Sequence, residues 1–117
     1  MFSARYRINR KEFNEVKNQG KIYHSRSFSL IVFQRNDSEA SRFGFVISKK
    51  VAKKASQRNK IKRVLRELVR EFIPRLKGGF SCIFLVRQEV LEKIEAKKRN
   101  ILVKELAGIF KKAKISL

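Results

Sequence analysis

Cysteine, histidine, proline and tryptophan are almost missing from this chain. Its 117 residues include one cysteine, one histidine, one proline and no tryptophan. A lone cysteine excludes an internal disulfide framework and fits a reducing compartment, and one histidine with one cysteine cannot form a zinc site. Apolar runs such as 82–86 are too short for a signal peptide or a membrane span. We therefore expect a cytoplasmic protein with no protein-bound cofactor.

Acidic residues are also scarce, with 10 Asp and Glu against 30 Lys and Arg. The resulting formal charge of +20 repels itself in a folded chain unless a polyanion relieves the repulsion. The length fits a single domain spanning 1–117, with a core built on phenylalanine, isoleucine, leucine and valine. Composition therefore favours a nucleic-acid-binding domain.

Residues with catalytic chemistry are few and scattered. His24 is the sole histidine, Asp37 and Glu39 lie in a probable-turn sequence, and Cys82 sits in an apolar run typical of a core strand. Gly78-Gly79 is a turn signal rather than a phosphate-binding loop, because no Lys-Ser/Thr follows it. We therefore expect no catalytic residue and no metal ligand in the protein.

The most informative segment is a helix that begins at about Ser56. At about 100° per residue, its apolar side chains fall on one side and its basic side chains on another, with Glu67 and Glu71 outside the basic arc. The apolar stripe contains Ile61, Val64, Leu65, Leu68, Val69 and Phe72. The basic face contains Asn59, Lys62, Arg63, Arg66 and Arg70.

This separation of charge favours binding of a polyanion. A solvated helix face normally mixes signs, whereas Lys62, Arg66 and Arg70 stack at four-residue intervals and repel one another. A phosphate backbone docked there would offset the repulsion. Further lysines in the loop before the helix extend the basic surface. They are Lys49, Lys50, Lys53 and Lys54.

The other elements follow from local signals. The first eight residues are expected to be an arm with little structure, and a helix spans about 9–19, with Asn9 as N-cap, Glu12 as its capping-box partner and Gly20 at its end. Strands are predicted at 21–24, 28–33, 42–48 and 82–87, whereas 89–94 is ambiguous. A last helix spans about 96–112. Its predicted inward residues are Ile101, Leu102, Leu106, Ile109 and Phe110.

The predicted order α-β-β-β-α-β-α gives a two-layer α/β sandwich, a four-stranded mixed sheet with three helices. The strand–helix–strand unit between 43 and 86 predicts two parallel strands if they are adjacent, and such crossovers are usually right-handed. Phe28, Ile31 and Phe33 form either plain core or, if one sheet face stays open, a stacking platform for bases.

Two stretches carry a resemblance to a known family. Gly44-Phe-Val-Ile-Ser-Lys-Lys-Val and Arg58-Asn-Lys-Ile-Lys-Arg-Val-Leu-Arg-Glu67 resemble the signature of the bacterial ribonuclease P protein subunit. The likeness extends over nearly the whole chain, including Phe13 and Gly20. Lys60 stands where the family usually has arginine, and a lysine keeps the charge but not the bidentate contact.

The resemblance implies a fold and a function. The fold would be an α/β sandwich with a left-handed crossover, an exception to the usual hand. The holoenzyme would be an endoribonuclease that removes the 5′ leader of precursor tRNA by hydrolysis, with Mg²⁺ held mainly by its catalytic RNA. A cleft beside the first helix would guide the leader, at Phe13, Phe28, Ile31 and Ser48. The residues implied to face the catalytic RNA are Lys49, Lys50, Arg58, Asn59, Lys60, Lys62, Arg63, Arg66 and Arg70, next to Lys53 and Lys54.

Three alternatives stay open at this point. A basic ribosomal protein, or another structural RNA-binding protein without processing activity, would show the same charge pattern. A nuclease acting without RNA is a second alternative, and a cationic membrane-surface protein is a third, although the apolar stripe has a sheet to pack against. We expect a monomer in the absence of RNA, with the catalytic RNA and precursor tRNA as partners and no membrane.

Overall fold

A four-stranded mixed sheet carries one helix on one face and three on the other in the computed structural model, which describes residues 3–117. The helices are α1 (Arg10–Gln19), α2 (Ala55–Phe72), α3 (Gln88–Glu95) and α4 (Arg99–Lys112). The strands are β1 (Lys21–His24), β2 (Phe28–Gln34), β3 (Arg42–Val46) and β4 (Phe80–Val86). Single 3₁₀ turns span Ala4–Tyr6 and Ile73–Arg75.

The strands lie in the order β1-β2-β4-β3. β2 pairs antiparallel with both β1 and β4, whereas β3 and β4 are adjacent and parallel. The predicted crossover is therefore confirmed, with α2 as the connection between the two parallel strands. The predicted sandwich is confirmed as well, with one helix more than expected.

The additional helix is α3, in the segment that the sequence left ambiguous. Val90 and Ile94 are one helical turn apart and both are buried, so tertiary packing stabilises a helix too short to be stable alone. Lys97 then adopts a positive φ of 57°, which ends α3 and delays the start of α4 to Arg99. The predicted inward position of Ile101 is wrong, because its side chain is 36% exposed.

Alternation along the strands divides the apolar residues between two cores. On the face covered by α2, α3 and α4, the ring of Phe84 meets Phe28 edge-on at 5.4 Å and stacks on Phe45 at 5.3 Å. On the other face, Val16 of α1 packs against Ile31 and Ile83. β2, β3 and β4 thus each supply apolar residues to both layers, as a period of two along a strand requires.

Glu12 fastens α1 to the sheet. The side chain of Asn9 accepts a hydrogen bond from the backbone N–H of Glu12 at 2.8 Å, so the predicted N-cap is confirmed. Glu12 is not the capping-box partner, however. Its buried carboxylate instead accepts hydrogen bonds from Arg42 Nη1 at 2.9 Å and from the hydroxyl of Ser81, since a charged partner stabilises it more than a backbone amide.

Glycine is required at position 20, directly after α1, because a side chain would not fit there, and not because the backbone adopts a conformation that only glycine favours. Its φ of −74° suits any residue, but a Cβ there would lie 2.5 Å from Ile31 Cγ2 and 2.6 Å from the carbonyl oxygen of Val16. The absence of a side chain therefore allows the chain to turn from α1 directly into β1.

We expect Gly20→Ala to destabilise the protein by about 1–3 kcal/mol, because the added methyl group overpacks the junction between α1 and β2. The matched control is Gly108→Ala in α4, where a Cβ meets nothing within 4 Å. That variant should gain up to about 1 kcal/mol from helix propensity. Urea denaturation of both variants measures the difference, and equal effects would contradict the packing argument.

Glu105 of α4 anchors the turn between β1 and β2. Its carboxylate accepts hydrogen bonds from the backbone N–H of Ser27 at 2.9 Å, from the Ser27 hydroxyl at 2.6 Å and from Lys93 Nζ at 2.8 Å. Burial raises the pKa of Glu105, but the bonds from Lys93 and Ser27 outweigh burial and hold the pKa below its ordinary value.

A carboxyl group whose folded pKa is lowered stabilises the fold above its unfolded pKa and loses that contribution as the pH falls through the folded value. Glu105→Gln should therefore be less stable than the parent by about 2 kcal/mol at neutral pH. The difference in unfolding free energy between the two proteins should narrow as the pH falls below 4.5, the ordinary pKa of glutamate. Urea denaturation at a series of pH values measures this difference. A difference that stays constant down to acid pH would contradict the lowered pKa of Glu105.

Candidate nucleic-acid interface

α2 presents its basic face to solvent, as the helical spacing predicts. Ile61, Val64, Leu65, Val69 and Phe72 are buried against the sheet and the other helices. The members of the basic face lie on a flank of α2 and are exposed or half-buried; they are Asn59, Lys62, Arg63, Arg66 and Arg70. Within residues 3–117, none of these cations forms an ion pair with an acid. The predicted separation of apolar and cationic sides is confirmed.

Arg58 has a structural contact that the sequence did not reveal. Its Nη1 donates hydrogen bonds to the carbonyl oxygens of Ala52 and Lys53, at 2.9 and 2.7 Å. The guanidinium group therefore fixes the loop that enters α2. Ser48, predicted to line the leader cleft, is exposed in that loop. The lysines of the loop predicted to face RNA are also exposed; they are Lys49, Lys50, Lys53 and Lys54.

Lys60 is exposed but lies apart from the basic face. Glu67 and Glu71 follow Lys60 by seven and eleven residues, which puts all three on one side of α2. Glu67 in turn pairs with Arg99 of α4 at 3.5 Å. The helix thus carries its acids, and Lys60 with them, on the flank away from Lys62, and Arg63 lies at the border between the two flanks.

The N-terminal arm covers the outer edge of the sheet. Arg7 forms a parallel bridge with Phe43 of β3, and Ala4–Tyr6 forms a 3₁₀ turn. The expectation of an arm with little structure is therefore wrong for residues 3–8; Met1 and Phe2 lie outside the described residues. The physical reason is that an edge strand offers unpaired backbone groups, which the arm satisfies.

A cavity of about 210 Å³ opens where the arm, α1, β3 and α2 meet. Phe13, Gly44 and Phe45 line it together with Lys62 and Arg66. Arg7 completes the wall, so three cations from two separate segments face one space. Burial and the neighbouring charge of Arg7 lower the pKa of Arg66, which still leaves a guanidinium group charged at neutral pH. An anion is the complementary ligand for this space.

Two of the four predicted cleft residues lie on the side of the sheet that carries α1. Phe13 is half-buried on α1, and Ile31 packs beneath Val16. Ser48 is exposed in the loop just beyond the end of β3. Phe28 lies on the opposite face with no exposed surface, so its assignment to the cleft is wrong. Alternation along β2 puts Phe28 and Ile31 on different faces, and that signal was available from the sequence.

Sequence reasoning missed a polar group at the end of this face. The hydroxyl of Ser29 contacts His24 Nδ1 at 2.8 Å and accepts a hydrogen bond from the guanidinium of Arg87. Arg87 also donates to the carbonyl oxygen of Ser25 at 2.7 Å. A basic residue directly after the buried strand β4 was the only hint in the sequence. Arg87 and Arg66 thus lie at two separate boundaries of the surface beside α1.

Within residues 3–117, no three His, Cys, Asp or Glu side chains are grouped so that they could hold a metal ion. Burial raises the pKa of the Cys82 thiol far above its ordinary value, so Cys82 is not a nucleophile. In the same part of the chain, no helix has the length and apolar character needed to cross a membrane.

Comparisons with known proteins agree on one family. A family model described as Ribonuclease P matches residues 2–114. The ribonuclease P protein component of Fusobacterium nucleatum is 40% identical over 104 residues, which cover 89% of this chain and 92% of that protein. The protein of the same name from Dictyoglomus turgidum is 36% identical over 116 residues, covering 95% and 96% of the two chains.

Solved structures share the fold. The ribonuclease P protein of Thermotoga maritima superposes with a TM-score of 0.80 at 26% identity, covering 91% of this chain and 96% of its own. The ribonuclease P protein of Staphylococcus aureus superposes with a TM-score of 0.78 at 26% identity, covering 96% of this chain and 98% of its own. Such agreement requires the same hand of connection between β3 and β4, so the chain has the left-handed crossover that the resemblance implies.

Proposed function

The chain belongs to the ribonuclease P protein family and acts in tRNA 5′ maturation as a protein subunit, and from that premise we propose which of its surfaces bind which RNA. The basic face of α2 and the loop entering it bind the catalytic RNA. The surface beside α1 binds the single-stranded 5′ leader of precursor tRNA. The chain 1–117 acts as one RNA-binding domain.

The unpaired cations of α2 carry the first assignment. The cations that form ion pairs within the described residues all lie outside α2, as in Arg42 with Glu12, Lys93 with Glu105 and Arg99 with Glu67. The basic face keeps its full charge, which makes it complementary to a phosphate backbone. Arginine and asparagine add directional donors, and lysine adds point charges.

The leader assignment is supported by the chemistry beside α1. Phe13 supplies an aromatic ring, and Ile31 and Leu85 supply apolar contact on the same side of the sheet. The cavity with Lys62 and Arg66 adjoins Phe13 and offers positive charge for phosphates. A ring for stacking beside cations for the backbone is the combination that single-stranded RNA requires.

The protein would act by positioning rather than by chemistry. The acids of the described residues are not grouped so that they could hold Mg²⁺, and we propose that the catalytic RNA holds the metal ions. Cations that neutralise phosphates on two RNAs lower the repulsion between them and so favour their approach. We propose a cytoplasmic location, and a monomer before RNA binds.

Arg63→Ala should weaken binding of the catalytic RNA about fivefold to tenfold and lower the logarithmic salt slope by nearly one, because one phosphate contact is lost. Its side chain is exposed, so thermal stability should stay within about 0.5 kcal/mol of the parent. Filter binding at several salt concentrations measures the slope.

The control for Arg63→Ala is Lys104→Ala, which removes the same charge from an exposed position on α4. Both proteins are also assayed for cleavage of precursor tRNA with catalytic RNA at low Mg²⁺. A basic ribosomal protein would not stimulate that cleavage. If both variants lost affinity equally, net charge rather than the α2 face would explain binding.

Phe13→Leu should weaken binding of precursor tRNA to the holoenzyme about tenfold, since leucine keeps the apolar packing of α1 but cannot stack on a base. Mature tRNA, which lacks the leader, serves as the internal control and should bind with unchanged affinity. Fluorescence titration of both RNAs against the reconstituted holoenzyme gives the ratio of their affinities. An equal loss for both would remove Phe13 from the leader site.

A further inference from the structure

A second groove opens on the helix-rich face of the sheet, beside β1. Its volume is about 570 Å³, within the range of ligand-binding pockets. The floor is formed by the half-buried Tyr23 and Phe80 and the buried Val32, all of which pack against the main core. The end of α4 closes one side at Ala113. The helices leave this part of the sheet uncovered, so an aromatic surface faces solvent.

Three lysines surround this floor. Lys21 comes from β1, Lys77 from the loop before β4 and Lys114 from the end of α4. The Lys21 ammonium lies 5.6 Å from the centre of the Tyr23 ring. No acid lines the groove, and within residues 3–117 none of the three lysines forms an ion pair. The groove therefore combines a stacking surface with uncompensated positive charge.

The backbone holds two of these lysines in place. The N–H of Lys77 donates to the carbonyl oxygen of Ile115 at 2.8 Å, and Leu76 bridges Ser116, so the chain end is tied to the loop before β4. Lys114 has a positive φ of 61°, where glycine is the unstrained choice. A lysine at that position costs backbone energy but adds charge at the rim.

We propose that this groove binds a segment of single-stranded RNA, with a base stacked on Tyr23 and flanking phosphates held by Lys21, Lys77 and Lys114. The positive charge excludes a cationic partner, and the half-buried Tyr23 ring distinguishes RNA from a simple anion, which needs no stacking surface. β1 and β3 are opposite edges of the sheet, about 14 Å apart at the usual strand spacing. The groove is thus separate from the surfaces proposed above and extends RNA contact to the far edge.

Tyr23 provides a direct test, because Tyr6 is the only other tyrosine and the chain has no tryptophan. In full-length Tyr6→Phe protein, all tyrosine fluorescence comes from Tyr23. Oligoadenylate of about six nucleotides, a length suited to one single-strand site, should quench it by stacking. Inorganic polyphosphate at equal phosphate concentration should not. An absent response to RNA, or an equal response to polyphosphate, overturns the proposal.

Replacement of Lys114 by glycine removes the charge and relieves the backbone strain, so the Lys114→Gly variant should fold at least as stably as the parent. In the Tyr6→Phe background, Lys114→Gly should raise the RNA concentration for half-quenching about eightfold at about 50 mM salt, as one lost contact with a slope of about 0.7 implies. Lys97→Gly is the matched control, since Lys97 shares the positive φ but lies outside the groove. Equal effects of the two variants would overturn the proposal.

The outcome is independent of the proposed function. Weaker RNA binding by Lys114→Gly, seen as a higher RNA concentration for half-quenching, with normal cleavage of precursor tRNA would support the groove as a separate contact. Failure of Arg63→Ala to affect catalytic-RNA binding would overturn the assignment of α2 and leave the Tyr23 measurement unchanged.

Discussion

The carboxylate of Glu12 lies between α1 and the sheet, and its bonds to Arg42 and Ser81 set where α1 rests. Arg35 adds a second positive charge at 3.6 Å. A buried carboxylate with such partners is costly to release, because its charge would be left without compensation. The position of α1 in turn defines the surface around Phe13 beside it. A single acid in the first turn of α1 therefore determines how the surface around Phe13 is positioned on the sheet.

Two further acids join separate elements in this chain of +20 net charge. Glu105 ties α4 to α3 through Lys93 and to the turn before β2 through Ser27, and Glu67 joins α2 to Arg99 of α4. Each pair lies where two elements meet. With acids scarce, this distribution stabilises the junctions and leaves the basic face of α2 uncompensated. The repulsion that remains is the energy that a bound polyanion can relieve.

The sequence was sufficient wherever one local signal dominated. Asn9 was found as a helix cap, and the separation of faces on α2 followed from spacing alone. It was insufficient where tertiary contacts decided the outcome. α3 is stabilised by tertiary contacts such as the burial of Val90 and Ile94. The carboxylate of Glu12 bonds to Arg42, which is remote in sequence, instead of capping α1. Phe28 was misassigned for a different reason, since the period of the strand already separated it from Ile31. The cavity beside Arg66 could not be predicted, because it depends on the path of the N-terminal arm, which no sequence pattern in residues 3–8 indicates.

The central position of β4 has a consequence for the order of events during synthesis. β4 pairs with both β2 and β3, yet it follows them in the chain. Before residue 86 leaves the ribosome, β3 has no neighbouring strand in the sheet, and the apolar side of α2 has only a partial surface to cover it. The hairpin of β1 and β2 is local and can close early, whereas contacts remote in sequence form slowly. A nascent chain halted before β4 would thus present an amphipathic, strongly cationic helix without a completed core, a state in which premature association with nucleic acid competes with folding.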